Sequence, residues 1–310
     1  MNKKFNSLLI SLITIFFLIN FLTNSNLLIK TFFYSISLWF YNVLPNIFIF
    51  FTLTDILNNY NFPYYLEKIF GKIIYKIYKL PSCTCYAIFM SMTTGFPGNS
   101  KLIKELLDKR KINEYEATRL LTMTHFSNPL FILYTIGNNF LNNQRIGIYI
   151  LIVHFITNFF IGYIFRNIFN ISTNNKKEIN NSPLPFMTML KVSINNTTNT
   201  LFNILGIIIF FSLFTTTINH YLNLNVYSNM FLGGLFEITN GLNLLSKLNI
   251  NIITKAVIST FFISFGGFSI HMQIMSILHK YNVNYLVYFI SRIIHGIISS
   301  IIIYIILINC

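Results

Sequence analysis

Of the 310 residues, 54% are apolar and only 10% are charged, against roughly 25% charged in soluble domains; this excludes an ordinary water-soluble globular protein and points to an integral membrane protein. The formal charge of +14 is no argument for nucleic acid, because basic residues gathered on one side of a membrane follow from orientation alone. Three cysteines make neither a disulfide framework nor a zinc site, and they read as unpaired thiols.

A helix needs about 20 residues to cross the hydrocarbon core, and the apolar runs 5–22, 32–57, 120–141, 147–165, 201–218, 258–278 and 285–308 are long enough, giving seven expected crossings. The alternation of a transmembrane barrel is missing, so these runs are helices. The first follows Lys3 and Lys4 and has no small-x-small cleavage site before the next apolar run; residues 1–30 are therefore expected to be a retained anchor span.

Residues 31–169 form a first series. After the span 32–57, the segment 63–80 spaces Lys68, Lys72, Lys76 and Lys79 along one helical face with Tyr, Phe and Ile on the other, as suits a helix lying among lipid headgroups. An apolar run then starts at Cys83, stops at Gly95-Phe96-Pro97-Gly98 and resumes as a charged helical segment to 107. The span 120–141 is broken by "HFSNPLF", and 147–165 is plain. A polar, Pro-containing linker at 170–189, expected in the cytosol, leads to a second series, 190–310. It repeats the order: a span, an interrupted run at 226–248 holding "EITNG", a span broken by "SFGGFSIH", and a plain span. Each series has three crossings, so the second starts on the opposite side. The expected fold is an all-α polytopic membrane protein, an inverted repeat with two re-entrant hairpins and two broken spans.

With the N-terminus in the cytosol and the hairpins returning to their own sides, seventeen of the 22 Lys and Arg fall on the cytosolic side. Only Lys30, Arg145, Lys247 and Lys255 fall outside, and Arg292 lies within the last span. The positive-inside rule favours this orientation.

A Gly or Pro inside a helix costs roughly 1–3 kcal/mol, and lipid cannot pair the freed backbone groups. Four breaks at matched positions are therefore expected to face protein or a water-filled cavity. Half-helix N-termini meeting there favour a small carboxylate or another strongly hydrogen-bonding solute. The candidate substrate-binding residues are Thr94, Gly95, Pro97, Gly98, Asn99 and Lys101 at the first interruption, and Ser127 and Asn128 in the first broken span. In the second series they are Glu237, Thr239, Asn240 and Gly241 at the interruption, with Gly266, Gly267, Ser269 and His271 in the broken span. Read blandly, the glycines only allow close helix packing, and Asp55 faces the cytosol from a span end. Glu237 is the acidic residue of the second series' apolar runs and a candidate coupling site. His125 and His271 flank the breaks; Arg292 is expected to meet Glu237 or a carbonyl, or to snorkel. No catalytic motif, metal-ligand set or cofactor signature is present, so an enzyme is not expected. Membrane lipids are expected partners and nucleic acid is not; homo-oligomer formation is left open.

Taken together, "TTGFPGNSKLIKELL", "EATRLLTMTHFSNPLFI", "GGLFEITNGL" and "SFGGFSIHMQIMS" resemble the YlbJ type of sporulation integral membrane protein, within the nucleoside-recognition Gate domain group. Asn128 stands where that group often has Gly before the proline. The resemblance covers most of the chain after the first span. It implies a fold similar to concentrative nucleoside transporters, a place in the outer forespore membrane with the N-terminus in the mother-cell cytosol, and transport of dipicolinate. It also leaves two alternatives: a carrier of nucleosides or another small polar solute, and a sporulation scaffold without substrate. Which other sporulation membrane proteins it would meet is not indicated.

Overall fold

A computed structural model describes residues 3–169 and 183–309; residues 170–182, most of the expected linker, lie outside the described residues, as does Cys310. Among the described residues all regular structure is helical. In chain order the helices are α1 (Lys3–Thr23), α2 (Ser25–Leu38), α3 (Leu44–Asn59), α4 (Phe62–Tyr78), α5 (Cys85–Thr94), α6 (Gly98–Asp108) and α7 (Glu114–Met123). After a π-helical stretch at Phe131–Phe140 come α8 (Gln144–Ile164), α9 (Phe186–Leu222), α10 (Val226–Phe236), α11 (Ile238–Ser246), α12 (Ile252–Phe265), α13 (Gly267–Ile277) and α14 (Tyr285–Ile308).

Five helical stretches among the described residues are long and apolar enough to cross a membrane: 25–59, 144–167, 186–222, 252–277 and 285–308. The chain is an all-α polytopic membrane protein. Of the seven expected crossings, the run 120–141 leaves the helical state between Met123 and Pro129; α1 is an apolar helix over Ser7–Thr23.

The central packing unit is α12 lying along α14, with α8 and α7 against them. A second apolar cluster, Trp39, Ile47 and Phe51 with Leu201, Ile204 and Ile208, joins α2 and α3 to the long α9. The α1 helix meets the end of α9, where Asn20 Nδ2 donates to Thr217 Oγ1 at 2.8 Å and Tyr221 donates to Asn20 Oδ1 at 3.1 Å. Elsewhere α1 shows Leu12, Leu18 and Ile19 outward, as α8 shows Ile156 and Phe160 and α14 shows Ile301. In lipid such faces need no further cover.

Pro45 explains the π turn at Trp39–Val43 between α2 and α3. Its ring has no N–H and crowds the carbonyl four residues back, and the wider turn, closed by Leu44 N–H on Trp39 O, absorbs the misfit. The basic face of α4 is exposed at Lys68, Lys72 and Lys76, with Ile69 and Ile73 exposed beside it, while Gly71 and Ile74 pack inward. Its C-terminal carbonyls are met by cations: Arg166 donates to Ile77 O at 3.0 Å and Arg119 to Tyr78 O at 2.5 Å, the pairing that a helix dipole favours. The two cysteines described, Cys83 and Cys85, are free.

Candidate functional site

Breaking a helix inside apolar surroundings leaves carbonyls at one stump and N–H groups at the next, and each must find a partner within the protein. In this chain, side chains from other segments supply many of them. At the end of α5, Thr93 O accepts from Asn128 Nδ2 at 2.8 Å. At the end of α7, Thr122 O accepts from Arg292 Nη2, and Met123 O accepts from Asn158 Nδ2 at 2.9 Å. At the end of α12, Phe265 O accepts from His271 Nε2 at 3.0 Å.

Two of the four N-terminal stumps are also engaged, and for these the expectation of free, anion-seeking N–H groups needs correction; α6 and α13 have no side-chain cap. Glu237 sits at the N-cap of α11 and accepts from Asn240 N–H at 2.7 Å and from Thr239 N–H at 3.2 Å. Asn128 Oδ1 accepts from Leu130 N–H at 2.8 Å, at the restart of the first broken span. The chain's own acceptors thus occupy both positions. Asn128 holds two stumps at once: the end of α5 and the beginning of the next half-helix.

Two glycines set the backbone geometry of the breaks. Gly95 has φ +70°, and a Cβ there would lie 2.5 Å from Asn128 N; Phe96 N–H donates to Phe126 O at 2.8 Å beside it. Gly266 has φ +94°, and a Cβ would lie 2.6 Å from His125 Nε2. The tip of the α5–α6 pair is therefore pressed onto the first broken span, and the two broken spans are pressed onto each other.

Three of the breaks, and the half-helix α13 that follows the fourth, contribute to one small cavity of about 50 Å³. Phe96 and Pro97 line it from the first pair of short helices, Glu237, Ile238 and Thr239 from the second. Ser127 and Asn128 line it from the first broken span, Ile270 and Gln273 from the second; Asn42, Asn46, Ile204 and Ile208 close it. No Lys, Arg or His is among the lining residues, and Glu237, 2% exposed, is its one ionisable side chain.

Of the sixteen candidates, the structure brings together at this cavity Pro97, Ser127, Asn128, Glu237 and Thr239. The others lie around it. Thr94 donates to Met90 O in its own helix, and Asn99 Nδ2 reaches Thr124 Oγ1 at 3.5 Å. Gly98 packs against Phe51, and Gly241 against Gly234, so that α10 and α11 touch backbone to backbone. Gly267 neighbours Ile238. Asn240 gives its N–H to Glu237, while Ser269 is buried without a partner for its hydroxyl. His271 donates to Phe265 O and accepts from Tyr285 OH at 3.2 Å. Lys101 is bound to Asp55 at 2.7 Å, so Asp55 is a half-buried ion-pair partner in place of a free cytosolic carboxylate.

Behind the cavity lies a fully buried polar network. Arg292 neither snorkels nor meets Glu237: besides Thr122 O it donates to Asn158 Oδ1 at 3.0 Å and to His295 Nδ1 at 3.1 Å. His295 Nε2 donates to His154 O at 3.1 Å. His154 Nε2 accepts from Ser127 N–H at 3.0 Å, so its Nδ1 carries the proton shared with Ser264 Oγ at 2.9 Å. The network thus reaches the cavity wall through the backbone of Ser127. His125 is bonded to Tyr288 OH at 2.8 Å and stacks on Phe96, with ring centres 4.6 Å apart.

The residue absent from the sequence-derived set is Gln273. A signal was available: it is one of two glutamines in the chain and stands within an apolar helix, two positions after His271.

Fold and site define a polytopic helical membrane protein whose interrupted helices close on a small, mostly apolar cavity with a few polar side chains in its wall. No protein-family model and no solved structure matches the chain. It is 24% identical to the sporulation integral membrane protein YlbJ of Bacillus subtilis (strain 168), over 96% of this chain and 82% of that protein. This likeness supports assignment to the YlbJ type, and together with the spanning helices it fits a membrane protein of sporulation.

Proposed function

We propose that the protein is a carrier that moves a small solute through the membrane by alternating access, and that the solute is dipicolinate, passing from mother cell towards forespore. One observation carries the reading: a single cavity is lined from three helix breaks and from the half-helix that follows the fourth. In this reading α5–α6 and α10–α11 are re-entrant hairpins, and α7 with 131–140 and α12–α13 are unwound spans of two inverted repeats, 31–169 and 190–310. At about 50 Å³ the cavity has room for a few waters at roughly 10–15 Å³ each, so a solute enters only when a hairpin parts from its neighbours.

The contacts at the ends of the helices suit the expected orientation. The loop holding Lys280 meets the α6–α7 turn, where Asn282 N–H donates to Glu114 at 2.9 Å and Tyr281 OH bonds Asp108. Lys79 reaches Asn167 at 2.7 Å. These are all segments assigned to the cytosol, while Asn243, on the segment assigned outside, bonds Tyr34 near Lys30. The dipicolinate assignment rests on the motif resemblance and on the sporulation relative. Phe96, the aromatic tip residue in the cavity wall, offers a ring for a planar solute to stack on.

Spore dipicolinate in a deletion strain whose mother cell still synthesises it tests the reading. A fall of tenfold or more is expected. Spores with normal dipicolinate and faulty assembly would replace the carrier by a scaffold, and uptake outcompeted by nucleosides would replace the solute.

A further inference from the structure

The cavity also specifies what kind of chemical edge it reads, an inference that rests on the carrier reading and deepens it. Most polar side chains of the lining are committed to the protein: Asn42 to Leu38 O, Asn46 to Asn42 O, Asn128 to Thr93 O and Leu130 N–H, and Glu237 to the N–H groups of α11. Gln273 is not. It is 2% exposed, it lines the cavity, and neither its Nε2 nor its Oε1 has a partner in the protein. The Ser127 hydroxyl, 1% exposed and also in the lining, is likewise uncommitted. Buried amides are rarely left without hydrogen bonds at both poles, so a pair of this kind marks a surface built for something that enters.

We propose that Gln273, with Ser127 beside the same cavity, is the specificity-determining contact, and that it reads a protonated carboxyl group or a carboxamide. The side-chain amide sets a donor next to an acceptor. Its complement is an acceptor next to a donor, which a protonated carboxyl and a primary amide both supply. An ionised carboxylate is acceptor-only: it satisfies Nε2 and opposes Oε1. The lining acts in the same direction, because it offers an entering dianion no cation, only the acidic side chain of Glu237, in surroundings where an uncompensated charge costs far more than in water. The solute therefore enters with its proton on the carboxyl that faces Gln273, and each passage of an acid carries that proton with it.

Binding of pyridine-2,6-dicarboxylate and of the neutral pyridine-2,6-dicarboxamide to the full chain in lipid nanodiscs, at pH 5 and pH 7.5, tests this directly. The diamide is expected to bind equally at both pH values and the dicarboxylate at least tenfold more tightly at pH 5. Gln273→Leu should weaken both probes about 30-fold, the loss of two neutral hydrogen bonds, and Ser127→Ala about fivefold. Because Gln273 has no protein partner, Gln273→Leu should keep or raise the unfolding temperature, which a merely structural glutamine would not do. Dicarboxylate bound as tightly at pH 7.5, binding unchanged in Gln273→Leu, or no binding of either probe overturns the proposal. Uptake of dicarboxylate that ignores Gln273 would sink this inference and leave the carrier standing. Gln273-dependent binding of the diamide without uptake of any solute would do the reverse.

Discussion

Glu237 and Arg292 are buried charges of opposite sign, and each is held by the cut end of a half-helix. Glu237 takes N–H groups at the start of α11, Arg292 takes a carbonyl at the end of α7. Each thus sits at the dipole end that stabilises it. The difference lies in what surrounds them: Arg292 is enclosed by Thr122, Asn158, Ser291 and His295, whereas Glu237 faces the cavity. Breaking a helix in a membrane creates sites that can hold a charge. A fully enclosed one builds the fold, and one on a cavity is available to work.

Removing the enclosed charge should have the largest effect. Arg292→Met leaves Thr122 O, Asn158 Oδ1 and His295 Nδ1 short of donors, and unpaired buried groups cost about 1–3 kcal/mol each; a loss of roughly 3 kcal/mol or more should appear in detergent unfolding and in yield. Next, Gly95→Ala puts a side chain into a left-handed conformation against Asn128 N. About 2–3 kcal/mol should be lost, and the contact between the α5–α6 turn and the segment 124–128 should open, seen as faster hydrogen exchange at Phe96. Glu237→Gln separates the two sites most sharply: it keeps an N-cap acceptor and should cost about 1 kcal/mol, while uptake falls by tenfold or more. Lys101→Ala removes a half-exposed pair with Asp55 and should change stability by under about 1 kcal/mol, with uptake nearly intact.

Composition made the helical membrane class legible, and glycine or proline marked three of the four breaks, the fourth falling at Glu237. Gly95, Pro97 and Gly266 do stand where the chain leaves the helix. Less legible was how the stumps are satisfied, because the partners are far away in sequence: Asn128 serves Thr93, and Arg292 serves Thr122, 170 residues apart. A motif reading credits polar residues at a break to a ligand. The structure gives several of them, Asn128, Glu237 and His271, to the backbone they interrupt. Gln273 shows the opposite error: it stands within the quoted stretch "SFGGFSIHMQIMS" but two turns past its break, so a motif reading credits it with nothing, and only packing brings it to the cavity wall.

Uptake of radiolabelled dipicolinate into proteoliposomes, with wild type and Glu237→Gln inserted to the same level, tests the cavity as a transport route most directly. Wild-type vesicles should take up the solute well above protein-free vesicles, and Glu237→Gln should be at least tenfold slower at an unfolding midpoint close to wild type. Wild-type uptake no greater than in empty vesicles, or equal rates for the two proteins, would contradict the account.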